Sequence, residues 1–222
     1  MPSVIFDMDG VILDTETLVQ KAWGILGERH GIPDLAEAIK TCTGARREER
    51  QEMLKKYYHD PDFPAKELMA ESSKIFFSLY DKKLPLKEGA SECLHALKDR
   101  GVPIAVASST WFSVVREQLA AVELYDLFDA VVCGDMVTHS KPHPEIFLTA
   151  AERLHTDPAD CFVIEDSYNG VRAGHAAGMR TVMVPDLLPP TPEIEALCEA
   201  VLPSLTGFIA YFEKLNQILV SG

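Results

Sequence analysis

Five short runs are apolar almost throughout: SVIF (3–6), VPIAVAS (102–108), AVVCG (130–134), CFVIE (161–165) and TVMVP (181–185). A strand with one wet face alternates apolar and polar residues. These runs do not alternate, so each reads as a strand covered on both faces, the situation of parallel strands. The segments between them have helical period. EGASECLHALKDRG ends at Gly101, a helix stop. HPEIFLTAAERLH and YNGVRAGHAAGMR follow, the latter stopping at Gly178. Strand–helix alternation of this kind predicts an α/β fold with a doubly wound parallel sheet.

One stretch breaks the rhythm. From about residue 15 to residue 82 no run reads as a strand. TLVQKAWGILGERHG carries Leu18, Ala22, Ile25 and Leu26 at helical spacing. AKELMAESSKIFFSLYDK places Leu68, Met69, Ile75, Phe76 and Leu79 on one face. HDPDFP between them reads as a loop. The expectation is an α/β core of residues 1–14 and 83–222, with a helical domain of residues 15–82 inserted after the first strand. An insert in that place is positioned to act as a lid.

Composition narrows the partners. The chain has 222 residues, nearly half of them apolar, and 34 acidic against 21 basic residues give a net charge of −13. That sign repels nucleic acid and anionic membranes. It does not exclude an anionic substrate, since a local metal or lysine reverses the sign at a site. The five cysteines, Cys42, Cys93, Cys133, Cys161 and Cys198, lack metal-ligand spacing and suggest a reducing, cytoplasmic setting. No basic stretch leads into a long apolar run, so no signal peptide is expected. A monomer needs no extra assumption.

In an open parallel sheet, ligands bind outside the carboxyl ends of the strands. There the first run delivers Asp7 and Asp9, which strand period two would point the same way. The second delivers Ser108 and Ser109, and the fourth Glu165 and Asp166. Lys141, in SKPHP, precedes a helix between the third and fourth runs. Converging carboxylates repel one another, and a lysine plus a divalent cation resolve the conflict. Oxygen donors without a His or Cys cluster point to Mg2+. Each residue also has a plainer explanation: an aspartate after a strand is often a helix cap, Ser108 and Ser109 are placed to cap a helix starting near Phe112, and a single lysine is often a solvated charge. DMDG resembles the start of a calcium loop, but the remaining ligands of that pattern are absent. What sets these residues apart is that all of them fall on one edge of the inferred sheet.

DMDGVILDTE, VASST, SKPHPEIF and VIEDSYNGVRAGHAAGM, in this order, resemble the haloacid dehalogenase superfamily in its phosphatase branch. Within it the chain is similar to the β-phosphoglucomutase-like group, whose small helical cap follows the first strand. The resemblance implies that Asp7 is a nucleophile forming an aspartyl-phosphate. It implies that Asp9 protonates the leaving oxygen and then activates water. Mg2+ would be held by Asp7, the backbone carbonyl of Asp9 and Asp166, with Glu165 either a ligand or a group behind the ligands. Ser108, with Ser109 beside it, and Lys141 would bind the phosphoryl oxygens of a small phosphomonoester, and Gly10 would let the backbone turn closely away.

The resemblance also frames the alternatives. Matched onto this chain, the mutase's cap histidine falls at Val19, its cap lysine at Thr43, and a polar position beyond the second strand at Phe112. Trp23, Gly44 and Arg47 do match cap residues of that group. Hydrolysis is therefore expected ahead of a sugar phosphomutase. Phosphonate cleavage would need a Schiff-base lysine, and Lys40, Lys55 and Lys56 read as solvated helix charges. A binding module on the same fold would be expected to lose at least one of Asp7, Asp9, Ser108, Lys141 and Asp166, and all five are present.

Overall fold

The structure is a computed structural model that describes residues 2–42, 47–79 and 84–220. It divides into two compact units, Met1–Asp14 with Pro85–Gly222, and Thr15–Leu84.

The first unit is built on a six-stranded sheet: β1 (Ser3–Phe6), β2 (Ile104–Ser108), β3 (Ala130–Cys133), β4 (Cys161–Glu165), β5 (Arg180–Met183) and β6 (Ala200–Val201). The spatial order is β3-β2-β1-β4-β5-β6, and every neighbouring pair is parallel. This is the doubly wound arrangement, with order reversing between β1 and β4. The five apolar runs form β1 to β5. The sixth strand, two residues at the sheet edge, is too short to carry a sequence signal.

Period two divides the strand residues between the faces. Ile5, Val163 and Ala107 join Ile146, Phe147, Ala150 and Ala173 in one buried cluster. They pack there with α7 (Glu145–Arg153) and α8 (Tyr168–Ala176). On the other face, Phe6 and Phe162 meet Phe208 edge-on, with centroids 6.4 and 5.8 Å apart. Phe208 and Phe212 come from α10 (Leu205–Val220), which packs beside α5 (Ala90–Asp99). Burying aromatic side chains of this size supplies much of the driving force for closing the sheet.

The second unit is helical: α1 (Thr15–His30), α2 (Leu35–Lys40), α3 (Arg47–Tyr57) and α4 (Ala65–Leu79). Its core gathers Ala22, Trp23, Leu26, Leu35, Leu54, Phe63, Leu68 and Ile75. Ile25, expected on the apolar face of α1, is exposed, and Trp23 is buried in its place. Ala22 and Trp23 lie four and three residues before Leu26, so these three share the buried face and Ile25 falls outside it. Cys42, Cys93, Cys133 and Cys161 are buried free thiols, and Cys198 is half-buried. No helix among the described residues is long and apolar enough to cross a membrane.

Candidate active site

Strand β1 stops at Phe6, and the Asp7 N–H still donates to Ile164 O at 2.9 Å. The chain then turns back. Ile12 and Leu13 N–H both donate to Met8 O, at 2.9 and 3.0 Å, and Gly10 N–H donates to Leu13 O at 2.9 Å. Asp9 therefore lies in this turn, and turn geometry places it, not strand period. Thr110, beyond β2, donates through Oγ1 to Asp9 Oδ2 at 2.9 Å. Gly10 has φ +83°, and a Cβ there would stand 2.4 Å from Asp166 Oδ2 and 3.3 Å from Asp186 Oδ2. Only glycine lets this turn come so close to two carboxylates.

Sheet register prepares the centre of the site. Phe6 is opposite Val106 on one side and Ile164 on the other. One residue further along stand Asp7, Ala107 and Glu165, in one row across three strands. Lys141, on the segment leading into α7, is buried and reaches that row. Its Nζ donates to Asp7 Oδ1 at 2.5 Å, to Glu165 Oε1 at 2.6 Å and to Ala107 O at 3.1 Å. Three bonds use the three donors of an ammonium. The Phe147 ring lies beside it, 4.8 Å from Nζ to centroid.

Glu165 is held from its other side as well. Its Oε2 accepts from Asp166 N–H and Ser167 N–H, both at 3.0 Å, and from Ser167 Oγ at 2.9 Å. Ser167 Oγ in turn accepts from Gly170 N–H at 3.1 Å and caps α8. A Cβ on Gly170 would stand 1.8 Å from the Glu165 carboxyl carbon. The glycine of SYNG thus leaves room for the buried carboxylate.

The electrostatics are strained toward excess negative charge. Burial pushes the Asp7 carboxyl up to about 8, with Glu165 and Asp9 adding to the effect and Lys141 opposing it. Burial raises Asp166 well above the usual carboxylate range too, with Glu165, Asp7 and Asp186 contributing. Burial works against the Lys141 charge, but Asp7 and Glu165 outweigh it and raise that group. Asp186 accepts through Oδ1 from Lys87 Nζ at 2.7 Å, whereas its Oδ2 is buried with no hydrogen-bond partner. Asp7, Asp9, Glu165, Asp166 and Asp186 thus gather around two ammonium groups. Hard oxygen donors, a negative surplus and an orphaned carboxylate oxygen are what a Mg2+-class cation fits.

The sequence-predicted residues fall as follows. Asp7, Asp9, Lys141, Glu165 and Asp166 share one edge of the sheet. Ser108 is buried at the end of β2, where its Oγ accepts from Thr110 N–H at 3.0 Å, and Ser109 beside it is exposed. Neither caps α6 (Phe112–Ala121), whose first N–H donates to Asp135 Oδ1 at 2.9 Å. Trp23 is only 4% exposed, inside the helical unit. Gly44, and Thr43 beside it, lie outside the described residues. Arg47 opens α3, and its side chain also lies outside them. Sequence reading missed Thr110, the Ala107 carbonyl, Lys87 and Asp186. Asp186 did leave a signal: like Asp7, it is acidic and closely follows a buried apolar run.

The pattern of the haloacid dehalogenase-like hydrolase family matches residues 4–184. A phosphorylated carbohydrates phosphatase of Thermotoga maritima is 35% identical over 184 residues, 82% of this chain and 84% of that protein. A β-phosphoglucomutase of Bacillus subtilis is 36% identical, covering 83% of each. Among solved structures, a hydrolase of the same family from Deinococcus radiodurans, with bound phosphate and sodium, superposes with a TM-score of 0.80. It shares 28% identity, and the match covers 96% of each chain.

Proposed function

The chain belongs to the haloacid dehalogenase-like hydrolases, as a phosphoric monoester hydrolase, and from that premise we propose that it cleaves a small phosphorylated carbohydrate through an aspartyl-phosphate on Asp7. The observation that carries this reading is the row formed by Asp7, Ala107 and Glu165 around Lys141, with Asp9 in the adjoining turn.

Lys141 holds the Asp7 carboxylate in place and lowers the cost of its charge beside Glu165. Fixing a nucleophile against the reacting atom converts a bimolecular encounter into an effectively unimolecular step. The Asp7 carboxylate attacks phosphorus, and the bond from phosphorus to the sugar oxygen breaks. The Asp9 carboxyl gives its proton to that oxygen, so the sugar leaves as an alcohol. Asp9, now ionised, takes a proton from water as the water attacks phosphorus, which frees Asp7 and releases inorganic phosphate. Thr110 orients Asp9 by its hydrogen bond. As Asp7 loses its charge on becoming an acyl phosphate, the N–H of Lys141 that it held turns to a phosphoryl oxygen, beside the Ser108 hydroxyl.

Mg2+ would be held by Asp7, the Asp9 carbonyl and Asp166, and when bound it supplies positive charge for the phosphoryl oxygens. Glu165, committed to Lys141 and to three further donors, serves behind these groups as the lysine's counter-charge. Substrate choice is the role proposed for the helical unit, on the match of Gly44 and Arg47 to cap residues of the β-phosphoglucomutase-like group, with Trp23 buried in its interior. Hydrolysis is favoured over phosphoryl transfer between sugar carbons because Val19 stands at the mutase's histidine position and exchanges no proton.

A panel of sugar phosphates assayed for released phosphate with Mg2+ and with EDTA tests the reading. Turnover that EDTA abolishes supports it. Glucose 6-phosphate formed steadily from glucose 1-phosphate, or no release from any phosphomonoester, overturns it.

A further inference from the structure

The segment that delivers Lys141 also carries His139 and His143, and Glu145 follows at the start of α7. One ligand atom from each of these three residues lies within 4.8 Å of the other two. His139 Nδ1 is 2.8 Å from Glu145 Oε2, and His143 Nδ1 is 3.9 Å from the same oxygen. The two rings are tilted by 33° with centroids 4.4 Å apart. None of the three belongs to the carboxylate row around Lys141.

The cluster is organised from the backbone outward. Glu145 Oε1 accepts from Thr138 N–H at 2.7 Å, and Oε2 accepts from His139 N–H at 2.8 Å. These bonds fix the carboxylate and, with the His139 ring, keep it ionised far below the usual range. The Glu145 N–H approaches His143 Nδ1 as a donor at 3.3 Å. In that arrangement Nδ1 bears its lone pair, and a metal bound there would take the place of this long, 3.3 Å hydrogen bond. A helix-start hydrogen bond alone accounts for His139 on Glu145. A second such bond, from the Glu145 N–H, holds His143, but neither bond requires the two rings to lie 4.4 Å apart beside one carboxylate.

We propose that His139, His143 and Glu145 form a binding site for a borderline divalent cation of the Zn2+ class, distinct from the hard-oxygen site at Asp7 and Asp166. Imidazole suits Zn2+, Ni2+ and Cu2+, whereas Mg2+ prefers all-oxygen shells. Ligand bonds of about 2.0–2.2 Å at tetrahedral angles require donors about 3.3–3.6 Å apart. The two imidazole-to-carboxylate distances, 2.8 and 3.9 Å, bracket that spacing, and all three ligand atoms lie within 4.8 Å of one another. The side chains of His139 and His143 are 60% and 50% exposed, so small ring rotations close the difference without disturbing the core. Three protein ligands leave the remaining positions to water, and occupation braces the segment on both sides of Lys141.

The test uses the full chain, stripped of metal and returned to excess Mg2+, titrated with Zn2+ by calorimetry and with Co2+ by visible absorption. One equivalent should bind to the parent and to Asp166→Asn. Affinity should fall at least about tenfold in His139→Ala and in His143→Ala, with far-UV circular dichroism unchanged because both side chains are exposed. Equal affinity in the histidine variants would place the binding elsewhere and overturn the proposal. So would a parent that binds no Zn2+ while Mg2+ is present. Neither result bears on the phosphatase reading, which uses none of these three residues.

Discussion

Lys141 Nζ and Asp7 Oδ1 meet at 2.5 Å although 134 positions separate them in the chain. The contact is buried, and the same ammonium also neutralises Glu165. Removing the cation while keeping both carboxylates should therefore destabilise the fold as well as stop turnover. Leaving a buried charge unpaired costs about 3–5 kcal/mol. Lys141→Met is expected to lower the thermal midpoint clearly, and Lys141→Met with Glu165→Gln to recover part of the loss. A single variant that melts with the parent would refute this account of the row.

Gly10 and Asp166 are linked by space. A methyl group at residue 10 would lie 2.4 Å from Asp166 Oδ2, at a φ that also disfavours a side chain. Backbone strain there costs about 1–2 kcal/mol. Gly10→Ala should fold, with Asp166 displaced and a higher Mg2+ concentration needed for half-maximal turnover. Turnover measured across a Mg2+ series decides this, and a parent-like curve would contradict it.

Asp186 contributes charge beside Asp166 while Lys87 holds its other oxygen. Groups standing behind metal ligands typically change affinity by about 10- to 100-fold. Asp186→Asn should weaken Mg2+ in that range yet leave kcat at saturating Mg2+ close to the parent. A fall in kcat with unchanged Mg2+ dependence would assign Asp186 to the chemistry and not to the cation.

For Asp9 the two proton transfers can be separated by the leaving group. General acid–base groups contribute about 10²- to 10⁴-fold. Asp9→Asn should lose that much on a sugar phosphate. p-Nitrophenyl phosphate has a leaving group that needs no proton, so phosphorylation of Asp7 should suffer less and dephosphorylation should become limiting, seen as a burst of p-nitrophenol. Steady turnover of both substrates within about twofold of the parent would refute the assignment.

The parts of the site carried by strand ends were legible because buried strands lack polar alternation, so an acidic residue just past one stands out. Asp7, Glu165 and Asp166 are of this kind. Lys141 was legible from its motif, although its distance to Asp7 in sequence gives no local sign of their contact. Thr110 was not legible, since a loop beyond β2 brings it to Asp9, and loop paths follow from packing, not period. The Ala107 carbonyl leaves no side-chain signal. Trp23 shows the reverse case: a match to a substrate-contacting aromatic coincides with ordinary helical periodicity, and the residue is buried among Ala22, Leu26 and Leu35. α10 does carry a local signal, the i, i+4 spacing of Phe208 and Phe212 on its buried face.

The central claim is that the phosphoryl group passes through Asp7, and borohydride reduction during turnover tests it most directly. Reduction of an aspartyl-phosphate yields homoserine, which peptide mass spectrometry locates. Homoserine is expected at position 7 when substrate and Mg2+ are both present, and not in their absence or in Asp7→Asn. Sustained phosphate release with aspartate unchanged at position 7 after reduction would contradict the account.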